Sequence, residues 1–225
     1  MIIDKTYFRS SIYLPEAKPG LGDEPANLKL QDVIDEYAYD CLLKSLGKKL
    51  SKEFISQLDP NEANGLLAGA DAKWNDLLNG KEYTANDGTE KEWRGIRFKN
   101  SPLDTDYNVS LIAFYVYFFH EQINNETRSI IGNVSEDAKN ATNSPFNNKA
   151  VRAWNKFVEL TQGLPLKPTV IVPSVYESKV YGISYYNEGE DVNLYEFIND
   201  SNDLVADTYA NFSPKYFKTM NTFNI

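Results

Sequence analysis

One histidine and one cysteine set the outer limit on side-chain chemistry in this sequence. A lone His120 cannot build an HExxH zinc site or a His-pair ligand set, although an imidazole that titrates near neutrality can act as a general base. It follows directly on the most apolar stretch of the chain, where a hydrogen-bonded core or boundary histidine is the simpler reading. Cys41 alone excludes an intramolecular disulfide and a four-cysteine metal site. It falls in helical register with apolar neighbours, a position in which a thiol packs as a small, inert hydrophobe. Carboxylates are the richer resource. Asp32, Glu36 and Asp40 lie at successive i, i+4 positions, which puts three like charges on one helix face. Such a row is a solvated face, or a surface that meets a basic partner or repels DNA. A carboxylate pair with Trp74 or Trp93 as a sugar platform would define a small hydrolase, provided the fold opens a cleft between them.

The remaining motifs are negative. No phosphate-binding loop is present, and Gly20-Leu21-Gly22 is a fragment without a strand before it. Asp200-Ser201-Asn202-Asp203 is rich in oxygen but lacks the glycine and the closing glutamate of a calcium loop, so a turn is expected there. The triplets Asn125-Glu126-Thr127, Asn133-Val134-Ser135 and Asn140-Ala141-Thr142 read as coincidences in an Asn-rich chain. The start, Met1 to Thr6, lacks a secretory pattern, since Asp4 interrupts it, and a chain made and used without export is expected. Nothing in these patterns calls for a cofactor or a metal.

The chain has 225 residues, with 23 basic and 32 acidic side chains and a net charge of −9, which disfavours a protein that binds nucleic acid by lining up cations along phosphates. At this size a folded chain buries roughly 72% of its unfolded surface, enough for a core without metal or disulfide staples. With 42% hydrophobic and 24% charged residues the composition is that of a globular, soluble protein. The longest apolar run, Leu111 to Phe119, is far short of the roughly 20 residues that span a bilayer.

Periodicity places the elements. Residues 1–27 are crowded with Pro15, Pro19, Gly20, Gly22 and Pro25 and read as an arm. Leu30, Val33, Ile34, Tyr37, Cys41, Leu42 and Leu46 mark a helix from about Leu28, ended by Gly47 in the left-handed conformation. A short helix capped by Ser51 should bury Phe54, Ile55 and Leu58 and end at Asp59-Pro60. Another covers residues 71–79, with Trp74, Leu77 and Leu78 inward and Gly80 at its end. Around Asn86-Asp87-Gly88, residues 81–98 form a β-hairpin, because glycine accepts the positive φ of such a turn. A central helix over 107–131, apolar almost all round, would run about 37 Å. Residues 133–148 form a loop, and a helix from Ala150 closes at Gly163 and Pro165. Beyond 164 the runs Val170-Ile171-Val172, Val175-Tyr176 and Val180 to Tyr186 suggest extended, partly β structure. A short helix over Leu194 to Asn199 interrupts it, and an aromatic tail from Phe212 should dock on its own core or on a neighbour. The fold class is mainly α with minor β, divided into an N-terminal arm (1–27), a helical core (28–163) and a C-terminal arm (164–225).

A specific pattern runs through that core: Trp74-Asn75-Asp76-Leu77-Leu78-Asn79-Gly80-Lys81-Glu82-Tyr83, the Asn86-Asp87-Gly88 turn, Trp93-Arg94-Gly95-Ile96, and the aromatic helix Leu111 to Phe119. Together with the ending Phe223-Asn224-Ile225, it resembles the head-tail connector (adaptor or neck ring) proteins of tailed bacteriophages, in particular those of crAss-like and other Bacteroidetes phages. The resemblance covers about residues 28–163. It implies an antiparallel helical bundle with a hairpin insertion, assembled as a twelvefold ring in the virion neck. The partners so implied are other copies of itself, the portal protein and other neck or tail rings, with DNA passing through an open channel without sequence-specific binding, no membrane and no catalysis. A ring repeats one head-to-tail contact, so each copy needs two unlike surfaces. Candidates for partner contact are Asn86, Asp87 and Gly88 at the hairpin tip and Tyr216, Phe217, Phe223 and Ile225 in the tail, while Asp32, Glu36 and Asp40 are candidates for the channel wall. A carboxylate hydrolase, or an interaction module with no viral role, are the alternatives.

Overall fold

The computed structural model describes residues 2–14, 30–62, 65–100, 107–129, 146–163 and 191–220. Six helices and two separate two-stranded antiparallel sheets occur among them. In chain order these are α1 (Leu30–Leu46), α2 (Lys48–Ile55), α3 (Ala72–Asn79), β1 (Lys81–Thr84), β2 (Glu90–Trp93), β3 (Arg97–Asn100), β4 (Tyr107–Ser110), α4 (Leu111–Ser129), α5 (Phe146–Gln162) and α6 (Leu194–Leu204).

The expected stripe of α1 faces inward, with Val33, Ile34, Ala38, Cys41, Leu42 and Leu46 buried. Gly47 has φ of +87° but ψ of 160°, so it is extended on the side of the map reserved for glycine rather than left-handed helical. That conformation turns the chain within a single residue, and α2 therefore begins at Lys48 instead of being capped by Ser51. Ser51 lies inside the helix, buried, with its hydroxyl donating to the Lys48 carbonyl. Leu58 falls outside α2 and bridges to Leu66. Asp71 caps α3 by accepting from the Lys73 amide, and Trp74, Leu77 and Leu78 are buried as their spacing requires.

The Asn86-Asp87-Gly88 turn joins β1 to β2 in the register Lys81↔Trp93 to Thr84↔Glu90. The segment from Ile96 to Phe98 does not extend that hairpin. Residues 97–100 pair with 107–110 as a second one, and the central helix consequently starts at Leu111, four residues later than the expected start at 107. Ser110 makes the switch. Its buried hydroxyl donates to the Ile96 carbonyl and accepts from the Ile112 amide, closing the strand and capping the helix together. With 19 residues, α4 is about 28 Å long. It packs against α1 on one side and α5 on the other, which explains a helix with Leu111, Ile112, Tyr115, Val116, Tyr117 and Phe118 all buried.

Both expected arms are drawn into this core where they are described. Residues 2–14 make two 3-10 turns, Lys5–Tyr7 and Ser10–Ile12, and bury Ile3, Phe8 and Ile12. The helix expected over Leu194 to Asn199 runs on to Leu204, capped by Asn193, and buries Leu194, Tyr195, Phe197 and Ile198. Asp200 to Asp203 are therefore helical, not a turn. The loop expected over 133–148 lies outside the described residues except for Phe146–Asn148, which belong to α5. The expected strands between 170 and 186 also lie outside them. No helix among the described residues is long and apolar enough to cross a membrane.

Candidate functional site

Each chemistry-bearing side chain is held by its neighbours in a way that decides its use. Cys41 is fully buried, its thiol pushed up by burial, and the polar groups acting on it are Ser45, Asp40 and Lys44, not His120. A buried thiol held protonated is no nucleophile at neutral pH. His120 lies half-buried with Nδ1 3.6 Å from Glu121 Oε1. Burial lowers its affinity for a proton and outweighs the opposite pull of Glu121, so the ring is neutral at pH 7.

The acidic row does not survive as a row. Asp32 and Glu36 are exposed, but Asp40 turns towards α4, where it accepts from Tyr115 Oη and from Lys44 Nζ (2.7 Å) while Lys44 also donates to Tyr115 Oη (2.9 Å). This three-member cluster ties α1 to α4. A second one ties the first hairpin to α6: Lys91 bridges Glu196 (2.9 Å) and Asp200 (2.8 Å), and Tyr83 Oη donates to Asp200 (2.7 Å). Glu196 and Asp200 are the paired carboxylates at helical spacing that a hydrolase would need. Lys91 sits between them and Tyr83 Oη donates to Asp200, so both carboxylates are already engaged within the fold. Trp93 is no sugar platform either, being buried against Phe197, and Trp74 is buried against Phe54 and Tyr209. No group of three or more possible metal ligands comes together among the described residues.

The hairpin tip behaves differently. Asn86, Asp87 and Gly88 are all exposed, and a side chain added at Gly88 would meet nothing within 4 Å. Asp87 Oδ1 accepts from the Thr89 amide and stiffens the turn.

The tail runs as an extended strap along α5. Two side-chain amides on that helix grip its backbone: Gln162 exchanges a pair of hydrogen bonds with Phe217 (2.7 and 2.8 Å), and Asn155 does the same with Met220 (2.9 and 2.8 Å). Seven helical residues rise about 10.5 Å, and three extended residues span about 10 Å, so the two clamps match the strap in length. Phe217 turns inward onto Trp154 and Phe157, with ring centroids 5.8 and 4.8 Å away. Its neighbour Tyr216 turns outward and is 80% exposed. Of the two described aromatic residues expected to meet partners, Phe217 thus packs on its own core, while Tyr216 meets the Tyr195 ring edge-on at 5.8 Å and leaves most of its surface in solvent. Phe223 and Ile225 lie outside the described residues.

One feature of the site had no local signal in the sequence. A cavity of about 630 Å³ opens between the N-terminal turns, the β2–β4 region and α5. Trp93, Phe98, Leu111, Phe114 and Leu160 contribute apolar walls, and among the described residues the charged lining is Arg9, Arg94, Arg152, Lys156, Glu159 and Asp191. Both carboxylates are used: Arg94 reaches Asp191 at 2.6 Å and Lys156 reaches Glu159 at 2.9 Å. Arg9 and Arg152 remain exposed. No helical or strand period links residues so far apart in the chain, so only the folded structure reveals them as one rim.

Burial also raises the proton affinity of Tyr7, Tyr83, Tyr115, Tyr117, Tyr195 and Tyr209, Tyr117 to about 12. A group whose folded pKa lies above its unfolded value of 10.0 stabilises the fold fully below pH 10 and loses that contribution as pH rises towards the folded value. Stability should therefore fall above pH 10. In an alkaline titration, tyrosinate absorbance should rise in two stages, the second coinciding with loss of near-ultraviolet circular dichroism. A single smooth rise with the dichroism intact would contradict this placement of the tyrosines.

No protein-family model matches the chain, and neither a curated protein nor a solved structure shows significant similarity to it.

Proposed function

We propose that this chain is a structural, non-enzymatic ring component of a tailed-phage neck, joining the portal to the tail and leaving a channel for DNA. The observation that carries the reading is where the large apolar side chains are left in water. Tyr13 is 61% exposed in the N-terminal segment and Tyr216 and Met220 are 80% and 38% exposed on the C-terminal strap, while Val205 (65%), Tyr39 (45%), Leu204 (42%) and Leu67 (41%) are exposed on the body. Tyr216 and Met220 stand on an extended strap whose backbone is clamped to α5, and outward side chains held in this way can add specific contact area without a large globular interface. The opposite fate of the reactive groups supports it: Cys41, His120, Glu196 and Asp200 are absorbed by packing and ion pairing. The sequence pattern from Trp74 to Phe119 supports it independently through its resemblance to connector proteins.

The test is to mix the purified chain with the portal ring that this reading requires the same genome to encode, and to follow the product by sedimentation velocity. A single faster boundary of fixed stoichiometry, weakened at least about tenfold by Tyr216→Ser, is the expected result. A chain that leaves the portal boundary unchanged at every ratio contradicts the reading.

A further inference from the structure

We infer that the cavity rimmed by Arg9 and Arg152 takes the acidic, tyrosine-bearing face of α1 from a second copy of this chain. The inference rests on the ring reading above and names the two unlike surfaces that such a ring must bring together.

Charge is the first argument. Among the described residues the lining carries four cations, Arg9, Arg94, Arg152 and Lys156, against two carboxylates, Glu159 and Asp191, so 4 − 2 leaves +2. This occurs in a chain whose net charge is −9. Because Arg94 and Lys156 are each matched by a carboxylate, the surplus resides on the exposed Arg9 and Arg152. An occupant must bring anionic groups to the rim and an apolar body to the walls. A nucleic-acid backbone meets only half of that requirement: it needs a run of cations, and it would leave the apolar walls unused.

The α1 helix presents the complementary surface. At 100° per residue, Asp32, Asp35, Glu36 and Tyr39 fall on one face, and all four are exposed. Asp35 accepts from Gln31 at 2.8 Å, a neutral partner that leaves its charge in place. Tyr39 is 45% exposed in the midst of these carboxylates, with the half-buried Leu43 one turn further on. An aromatic ring flanked by acids is what an apolar cavity with a cationic rim would hold, and about 630 Å³ leaves room for the ring together with the helix side chains around it. No residue of α1 lines the cavity, so the two surfaces belong to different parts of the chain. Their contact is head to tail, the type that closes into rings. This assigns Asp32 and Glu36 to a contact between copies rather than to a channel wall.

Sedimentation equilibrium on the full chain at low ionic strength tests the inference. The expected result is self-association that weakens steeply towards about 1 M salt, where the Debye length is about 3 Å. Arg9→Glu with Arg152→Glu should weaken it about tenfold or more, and so should Asp32→Lys with Glu36→Lys, whereas one chain carrying all four reversals should regain most of the loss. Tyr39→Ser should weaken it without changing its salt dependence. These side chains are all exposed, and unchanged far-ultraviolet circular dichroism and thermal midpoints would show that the variants fold. A wild-type chain that stays monomeric to its solubility limit, or single reversals without effect, or a four-fold reversal that fails to rescue, would overturn the interface. If the chain still docks on a portal ring in that event, the neck reading stands and only this contact falls. Self-association through these faces without portal docking supports the contact and removes the neck reading.

Discussion

Trp93→Ala is expected to destabilise the protein by about 3–5 kcal/mol, seen as a lower urea midpoint with an unchanged slope. Trp93 is 3% exposed at the end of β2, stacked on Phe197 of α6 with centroids 5.5 Å apart and planes 16° apart. Its indole N–H donates to the Leu77 carbonyl at 3.1 Å, so one side chain joins α3, the first hairpin and α6. The flanking backbone reinforces that junction, with the Val192 amide donating to the Glu92 carbonyl at 2.9 Å. Trp93→Phe keeps an aromatic ring and drops the donor, and Leu77 still accepts from the Ile96 amide. It should cost only about 1 kcal/mol for the lost hydrogen bond, plus a smaller packing loss. A double-mutant cycle with Phe197→Ala should show a coupling of about 0.5–3 kcal/mol. Additive losses would mean that residues 191–204 do not share a core with the hairpin.

The second large effect is expected at Gly95. It has φ of +102°, and an added Cβ would lie 2.7 Å from the Asn79 carbonyl carbon, the Gly80 nitrogen and the Leu78 oxygen. Gly80 meets the same crossing from the other side, where a Cβ would sit 2.5 Å from the Trp93 oxygen. All of these are backbone atoms, so no side chain can swing aside. Gly95→Ala therefore combines backbone strain with overpacking and should cost about 2–4 kcal/mol, read as a lower thermal midpoint. Gly88→Ala is the internal control. Its φ is +83°, but nothing lies within 4 Å of an added Cβ, so only the left-handed penalty of about 1–2 kcal/mol applies. Equal losses at the two positions would refute the proposed crossing.

What could be read from the residues, and what could not, follows from the range of the forces involved. The stripes of α1 and α3 and the Asn86-Asp87-Gly88 turn are set by neighbours within a turn or two, and their placement was legible. The start of α4 was not, because Tyr107 to Ser110 are recruited into a strand by Arg97–Asn100, a pairing whose register no local pattern specifies. Residues 2–14 and 191–204 looked like arms for the same reason. Ile3, Phe8, Ile12 and Phe197 find their partners on distant elements, and sparse apolar residues among breakers resemble a tail until the core that receives them is known. At the candidate site, the exposed hairpin tip and Tyr216 follow from turn chemistry and strand alternation. Asp40 departs from its row because Tyr115 and Lys44 offer a better partner than water. The cationic rim formed by Arg9 and Arg152 required the fold.

The central proposal, a neck component built to be gripped rather than to catalyse, requires the chain to come from a tailed-phage genome and is tested most directly by cryo-electron microscopy of virions purified from that source. The account predicts ring-shaped density between portal and tail into which this fold docks, with Tyr216 and the hairpin tip covered by neighbouring chains. Virions whose portal-to-tail junction is fully accounted for by other chains, with this one absent, would contradict it.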